Sequence, residues 1–226
     1  SERLGKVVIL GARKYLRDQK KLFNSAYLLN ETGQLLASYD KKHLVPFGEY
    51  IPFANLMKKV GLVAFAGNGI TGFTEGDIQN SMSIGNIPAF AILICYESIF
   101  SYEVDENVSE VEWLIHLTND AWFGSYSGPQ QHLMHLQARA IEQGLPVFRS
   151  ANTGISALID PYGRIVQSLD LNTEGYLDAQ LSKKIGTTLY SNWGAKKWNT
   201  LLFCLIVLSV ILCFIKEDKL TKTSVT

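Results

Sequence analysis

Apolar and polar residues along the chain form short apolar runs separated by polar turns, a pattern that predicts β-strands. Residues 6–12 form one run, and residues 25–40 form two more that turn back at Gly33, which predicts a hairpin. Residues 87–96 and 111–120 are largely apolar without alternation, as is typical of strands buried inside a core. A long loop rich in proline, phenylalanine and glycine separates the hairpin from these buried strands.

The best-defined helical pattern ahead of the C-terminal region covers residues 128–144. Pro129 lies at its start and Gly144 at its end, and these residue types are favoured at those two helix termini. Residues 145–169 then predict a strand followed by a hairpin that turns at residues 160–163. Buried strands interleaved with a helix predict one α/β layered domain.

Hydrophobicity is highest near the C-terminus, where residues 198–215 form an uncharged stretch of eighteen residues. As a helix this stretch would be roughly 27 Å long, which is enough to cross a bilayer. We therefore predict a domain over residues 1–190, a linker over 191–197, a transmembrane helix over 198–215 and a polar tail over 216–226. Lysines lie on both sides of the span, so their distribution does not predict its orientation.

Composition narrows the possible functions. The 226 residues are 47% hydrophobic, enough for one substantial core, and the formal net charge is zero with no long basic run, which argues against a nucleic-acid partner. Of the three cysteines, Cys204 and Cys213 lie in the predicted span, so Cys95 is the one thiol of the preceding domain. The sequence begins without methionine or a signal peptide, and we expect it to start partway through a longer protein.

Candidate chemistry centres on Cys95, which follows directly after a predicted buried strand. A thiol acts as a nucleophile only as the thiolate, so it needs a nearby base or cation. The stretch "YDKKHLVPFGEYIPF" supplies Lys41 and Glu49, whereas Lys42 is expected to be a solvated surface charge. Glu97, two residues after the cysteine, needs a partner if it is buried.

Other patterns do not support a site. Residues 67–72 match a dinucleotide fingerprint in letters only, because no helix or correctly spaced acid follows, and we interpret them as a flexible loop. His132 and His135 are one helical turn apart, but no third ligand accompanies them, so packing or hydrogen bonding is favoured over a metal. There is also no G-x-S-x-G motif of a serine hydrolase.

Four motifs carry a resemblance to a known family. "YDKKHLVPFGEYIPF", "LICYES", "TNDAWFG" and "RSANTGISALIDPYGRI" occur in the order found in the nitrilase-like carbon–nitrogen hydrolase superfamily. Within it, the wording "HLVPFGEY" and "NDAWFG", together with a closing membrane span, resembles the bacterial apolipoprotein N-acyltransferases.

This resemblance implies an αββα sandwich and a Glu–Lys–Cys triad whose cysteine forms a thioester. Cys95 matches the nucleophile and Lys41 matches the triad lysine, whose ammonium group would favour the thiolate. Glu49 matches a second glutamate that organises the site, and Tyr96 and Glu97 match the positions beside the nucleophile.

The family's triad glutamate lies upstream of the strand predicted over residues 6–12. Glu2 and Glu31 do not lie in the matching context. The sequence therefore contains two of the three triad members, and we expect this chain alone to be inactive.

Two apolar features have open interpretations. The loop over residues 46–65 would either cover the site, dip into lipid or lie buried under neighbouring loops. Trp122 and Phe123 would either line an acyl channel or be core aromatics.

The resemblance implies acyl transfer from a membrane phospholipid, through Cys95, to the N-terminal amino group of diacylglyceryl-cysteine in apolipoproteins, without metal or cofactor. It also implies a bacterial inner-membrane location, with the domain in the periplasm and residues 216–226 in the cytoplasm. The alternatives are a membrane-anchored amidase of the nitrilase type and a catalytically inactive remnant that binds lipid or partners.

Overall fold

The computed structural model describes residues 6–53, 72–77, 80–105 and 110–223. Its strands are β1 (Val8–Leu16), β2 (Lys21–Leu29), β3 (Leu35–Asp40), β4 (Ser81–Ile84), β5 (Ile87–Ile94), β6 (Trp113–Asn119), β7 (Val147–Asn152), β8 (Ser156–Ile159) and β9 (Ile165–Leu169). Its α-helices are α1 (Tyr102–Asp105), α2 (Gly128–Gln143) and α3 (Leu189–Thr223), and short 3-10 helices follow β5 at Cys95–Ile99 and β6 at Asp120–Phe123.

Strands β1, β2 and β3 form an antiparallel sheet in that order. The hairpin predicted within residues 25–40 is confirmed as β2 and β3, with Gly33 in its turn at φ 79°. Strand β1 is longer than predicted and forms a further hairpin with β2, from Val8 opposite Leu29 to Leu16 opposite Lys21. The turn of that hairpin contains neither glycine nor proline, so the pattern of the sequence did not predict it.

Strands β4 to β9 form a second sheet in the order β4-β5-β6-β7-β8-β9. Neighbours β5, β6 and β7 are parallel, and the other pairs are antiparallel. The carboxyl ends of the parallel strands meet at one edge, which is where α/β proteins commonly bind ligands. Strand β4 was not predicted, because its alternating run of polar and apolar residues is only four residues long.

Strand β5 is buried on both faces because its residues belong alternately to two cores. Phe90, Ile92 and Ile94 lie between the two sheets, and Ala91 and Leu93 face the helical layer. The core between the sheets also contains Ala26, Leu28, Tyr39 and Ile115, and the core under α2 also contains Leu114, Leu133, Leu136, Ala140, Val147 and Ile159. The apolar run predicted as a buried strand is therefore the centre of the molecule.

Helix α2 begins and ends where the sequence predicts. Pro129 occupies its first turn, and Gly144 at φ 67° caps its end, where the glycine N–H donates to the Ala140 carbonyl. Leu133 and Leu136 lie on the buried face. This helix covers the outer face of the second sheet.

The predicted nitrilase-like α/β fold is confirmed, with two stacked sheets and a helical layer. Within the described ranges, no helix covers the outer face of the β1–β3 sheet, and Val8 and Leu10 are exposed there.

Helix α3 contains one break, at Gly194, whose backbone is not helical. Residues 191–197, predicted as a linker, lie within this helix around that break. After it, the 18 residues of Lys196–Cys213 have a mean hydropathy of 1.7, and no part of this stretch is buried. This helix is long and apolar enough to cross a membrane, and its exposure is not that of a core helix.

Candidate active site

A cavity of about 960 Å³ opens at the carboxyl ends of β5, β6 and β7, beside the three-stranded sheet. This volume is at the upper end of the range typical of small-molecule sites. Six of the predicted site residues line this cavity: Lys41, Glu49, Cys95, Tyr96, Trp122 and Phe123. Residues far apart in sequence are thus brought to one place.

Cys95 follows the last residue of β5 and has φ 50°, in the left-handed region that residues other than glycine rarely adopt. Such a conformation costs on the order of 1–3 kcal/mol and often marks a functional site. The side chain is half-buried and lines the cavity. The strained backbone therefore places a thiol where a ligand can reach it.

The pKa of the Cys95 thiol depends more on burial than on the charge of Lys41. Burial raises the pKa of Cys95, and the Thr118 hydrogen bond and the Lys41 charge, which lower it, do not compensate. The lysine acts in the expected direction, but it is itself paired with Glu49, whose charge raises the pKa. With its pKa raised, Cys95 would have to lose a proton before it could act as a nucleophile.

Lys41 has no exposed side-chain surface, and its Nζ lies 2.7 Å from Glu49 Oε2. The same oxygen accepts from the Val45 N–H at 2.8 Å, and Glu49 Oε1 accepts from Asn24 Nδ2 at 2.9 Å. A buried ammonium is tolerated only when it is paired and hydrogen-bonded. Glu49 therefore pairs with Lys41 and fixes its ammonium group in the cavity wall.

Glu97 is fully buried and does not line the cavity. Its Oε1 accepts from the Tyr39 hydroxyl at 2.7 Å and from the backbone N–H groups of Lys42 at 2.8 Å and His43 at 3.2 Å, and its Oε2 accepts from the Ile94 N–H at 2.7 Å. Burial raises its pKa, and these four donors oppose that shift. The carboxylate joins the loop after β3 to the end of β5, and so fixes Lys41 relative to Cys95.

Aromatic side chains surround the cavity. Tyr96 packs edge-on against Phe100, with ring centroids 5.0 Å apart, and His43 stacks on Phe100 at 4.0 Å. Trp122 and Phe123 are 75% and 40% exposed, so neither is a core aromatic.

The described part of the predicted apolar loop ends at residue 53. In this part, Phe47 and Phe53 are 73% and 81% exposed. They are not buried under neighbouring loops. Residues 54–65 of this loop and residues 67–71 of the rejected dinucleotide pattern lie outside the described residues.

A second group of polar residues was largely missed by the sequence analysis. It lies beneath Cys95, none of its members is more than 3% exposed, and we call it the buried polar cluster: Ser98, His116, Asp120, His132 and Arg149. Of these residues the sequence analysis considered only His132, for packing or hydrogen bonding, and His132 does make hydrogen bonds. Its neighbour in that analysis, His135, is exposed. The sequence feature that could have indicated this cluster is the presence of His116 and Arg149 within apolar strand runs.

Comparison with known proteins shows the family. The carbon–nitrogen hydrolase family model matches residues 1–190. The apolipoprotein N-acyltransferase of Rhodopseudomonas palustris is 47% identical over 174 residues, covering 77% of this chain and 32% of the relative. That of Bradyrhizobium diazoefficiens is 45% identical over 193 residues, covering 84% of this chain and 35% of the relative. The chain spans about a third of the length of these relatives.

Solved structures show the same fold. The glutamine-dependent NAD+ synthetase of Acinetobacter baumannii has a TM-score of 0.56 at 19% identity, over 75% of this chain and 30% of that one. A mutant of the amidase from Nesterenkonia sp. AN1, with an acetamide moiety covalently added at its active-site cysteine, has a TM-score of 0.52 at 20% identity, over 74% of this chain and 58% of that one. By its sequence match and its fold, the chain belongs to the carbon–nitrogen hydrolase family.

Proposed function

We propose that Cys95 accepts a fatty acyl group from a membrane phospholipid and passes it to the N-terminal amino group of diacylglyceryl-cysteine in apolipoproteins. The observation that carries this proposal is a strained cysteine sharing an open cavity with a buried Lys–Glu pair. The relatives named apolipoprotein N-acyltransferase support it.

In the first step, Cys95 Sγ attacks the ester carbonyl of the phospholipid. The S–C bond forms, the ester C–O bond breaks, and the thiol proton ends on the hydroxyl of the released lysophospholipid. Because the resting thiol is protonated, this step needs a proton acceptor, and we assign that role to the triad glutamate that the family places upstream of β1.

Lys41 would stabilise the tetrahedral intermediate. Its ammonium group, held by Glu49 in the cavity wall, would donate to the oxyanion, and one such donor is typically worth about 3–4 kcal/mol. In the second step the acceptor amine attacks the thioester, the C–N bond forms, the C–S bond breaks and a proton returns to sulfur. Neither step oxidises or reduces a reactant, so the reaction as written needs no electron donor or acceptor.

The cavity suits an amphiphilic donor. Its polar lining includes Arg13, Asn24, Asn119, Ser150 and Asn152, and its apolar lining includes Val45, Phe73, Leu117, Trp122 and Phe123. We assign the polar groups to the phospholipid head group and the apolar groups to the acyl chain.

The membrane setting also supports this donor. The exposed apolar helix Lys196–Cys213 would keep the cavity close to a bilayer. We propose that this membrane is the bacterial inner membrane, with the domain in the periplasm and residues 216–226 in the cytoplasm.

Product analysis tests the proposal. The complete protein is incubated with phosphatidylethanolamine vesicles and a synthetic peptide that begins with diacylglyceryl-cysteine. N-acylated peptide is expected, and Cys95→Ala is expected to abolish it. Free fatty acid without acylated peptide would instead show an amidase-type hydrolase, and neither product would show an inactive remnant.

A further inference from the structure

The buried polar cluster converges on one atom, the carbonyl oxygen of Cys95. His116 Nε2 lies 3.0 Å from this oxygen and His132 Nε2 lies 3.1 Å from it. The Ser98 hydroxyl also donates to it, at 3.1 Å. A carbonyl oxygen has two lone pairs, so the hydrogen bonds from two of these three groups are enough to satisfy it.

The contacts of His116 determine which nitrogen carries its proton. Arg149 Nη1 lies 2.9 Å from His116 Nδ1, and because a guanidinium can only donate, Nδ1 must accept. The proton is therefore on Nε2, which donates to the Cys95 carbonyl. Burial and the neighbouring charges of Arg149 and His132 hold the pKa of His116 well below its usual range, so the ring is neutral, as this arrangement requires.

His132 is held in the same way from the other side. Its Nδ1 lies 3.0 Å from Asp120 Oδ1, and Asp120 Oδ2 accepts from Arg149 Nη2 at 2.5 Å. Burial alone would raise the pKa of Asp120, but the His132 hydrogen bond and the Arg149 charge outweigh it and lower the pKa. One carboxylate–guanidinium pair thus fixes both histidine rings.

The cluster contains a serine, a histidine and an aspartate in the contact order of a hydrolase triad, since Ser98 Oγ lies 3.0 Å from His132 Nε2. Ser98, however, is fully buried and does not line the cavity. A substrate carbonyl cannot reach its hydroxyl. A second nucleophile is excluded on this geometry, and a role in support of Cys95 remains.

We propose that His116 and His132 are positioning residues, which hold the Cys95 carbonyl away from the cavity and so keep the left-handed backbone that presents the sulfur to the acyl donor. This inference rests on the proposed role of Cys95 as the nucleophile. A non-glycine residue keeps such a conformation only when its surroundings enforce it. The His116 ring N–H and the Ser98 hydroxyl both donate to the Cys95 carbonyl, and His132 Nε2 lies 3.1 Å from the same oxygen, so the peptide plane after Cys95 is fixed.

Two amide variants separate positioning from general packing. In His116→Gln the amide nitrogen lies where Nε2 was and can still donate to the Cys95 carbonyl. In His116→Asn the shorter amide replaces Nδ1 and cannot reach it. Both are buried polar side chains, so they differ mainly in this one contact.

The readout is the rate of iodoacetamide alkylation of Cys95 in the complete protein, followed by peptide mass spectrometry. We expect His116→Asn to slow alkylation by about tenfold or more, because a misplaced reacting atom loses rate steeply. His116→Gln is expected to stay within about threefold of wild type. In the acyl-transfer assay the same loss should fall on kcat and leave KM unchanged.

His132→Leu is expected to slow alkylation as His116→Asn does, with His135→Leu, an exposed histidine on the same helix, as the unaffected control. Equal alkylation rates in His116→Gln and His116→Asn would overturn the proposal. If Cys95→Ala still transferred acyl groups, the proposed function would fail, while the alkylation series would still decide the positioning role.

Discussion

At the residue scale, the site depends on charges that are buried in pairs. Lys41 with Glu49, and Arg149 with Asp120, each lose most of their contact with water. Each partner compensates the buried charge of the other, but pairing also weakens the field that each charge projects onto Cys95. Burial therefore dominates the thiol, and its pKa is raised in spite of the nearby lysine.

This electrostatic balance predicts a pH dependence. Alkylation of Cys95 requires the thiolate, so its rate should rise with pH through a midpoint above that of an exposed cysteine. Lys41→Met removes a charge that lowers this pKa and leaves the opposing Glu49 charge unpaired, so the midpoint should move further up. Lys42→Met, at the exposed neighbouring lysine, should leave it unchanged, and a lower midpoint in Lys41→Met would contradict this balance.

At the element scale, the site is built where parallel strands end. Cys95 follows β5, Asp120 follows β6, and His116 lies opposite Arg149 in the register of β6 and β7. Helix α2 covers this sheet and supplies His132. Packing of α2 therefore affects both the stability of the domain and the placement of Cys95.

Helix α2 allows a matched stability test. Leu136 is fully buried between α2 and the sheet, so Leu136→Ala should lower the free energy of unfolding by about 2–5 kcal/mol. Met134 on the same helix is 65% exposed, and Met134→Ala should change it by less than about 0.5 kcal/mol. The measurement is urea denaturation in detergent, and similar effects of both variants would show that α2 is not packed as described.

The sequence predicts the strands and helices well where a local pattern of residues determines them. Both faces of β5 are buried, so its run is apolar throughout, and Pro129 and Gly144 mark the ends of α2. Strand β4 alternates over only four residues, which is too short a signal, and the β1–β2 turn has neither glycine nor proline. Cys95, Lys41 and Glu49 lie in recognisable motifs, but the partnership of His116 with Arg149 depends on strand register, which a single sequence does not reveal.

At the scale of the whole molecule, an α/β domain is joined to an apolar helix in which no residue of the stretch Lys196–Cys213 is buried. The exposed Trp122, Phe47 and Phe53 lie on the domain. Together these features favour a domain that lies against a bilayer, as the proposed phospholipid donor requires.

The proposed topology can be measured by thiol labelling in intact cells. A membrane-impermeant maleimide should label Glu174→Cys, on the exposed surface of the domain, from the periplasmic side. A cysteine placed at residue 226 should be labelled only after the membrane is permeabilised. The reverse pattern would place the domain in the cytoplasm.

The central claim is that Cys95 carries the acyl group, and mass spectrometry of the complete protein after incubation with phosphatidylethanolamine vesicles tests it most directly. The account predicts one fatty acyl adduct on the peptide that contains Cys95, removed by neutral hydroxylamine as a thioester is, and absent from Cys95→Ala. Acyl transfer to the acceptor peptide without any adduct on Cys95, or with full activity in Cys95→Ala, would contradict it.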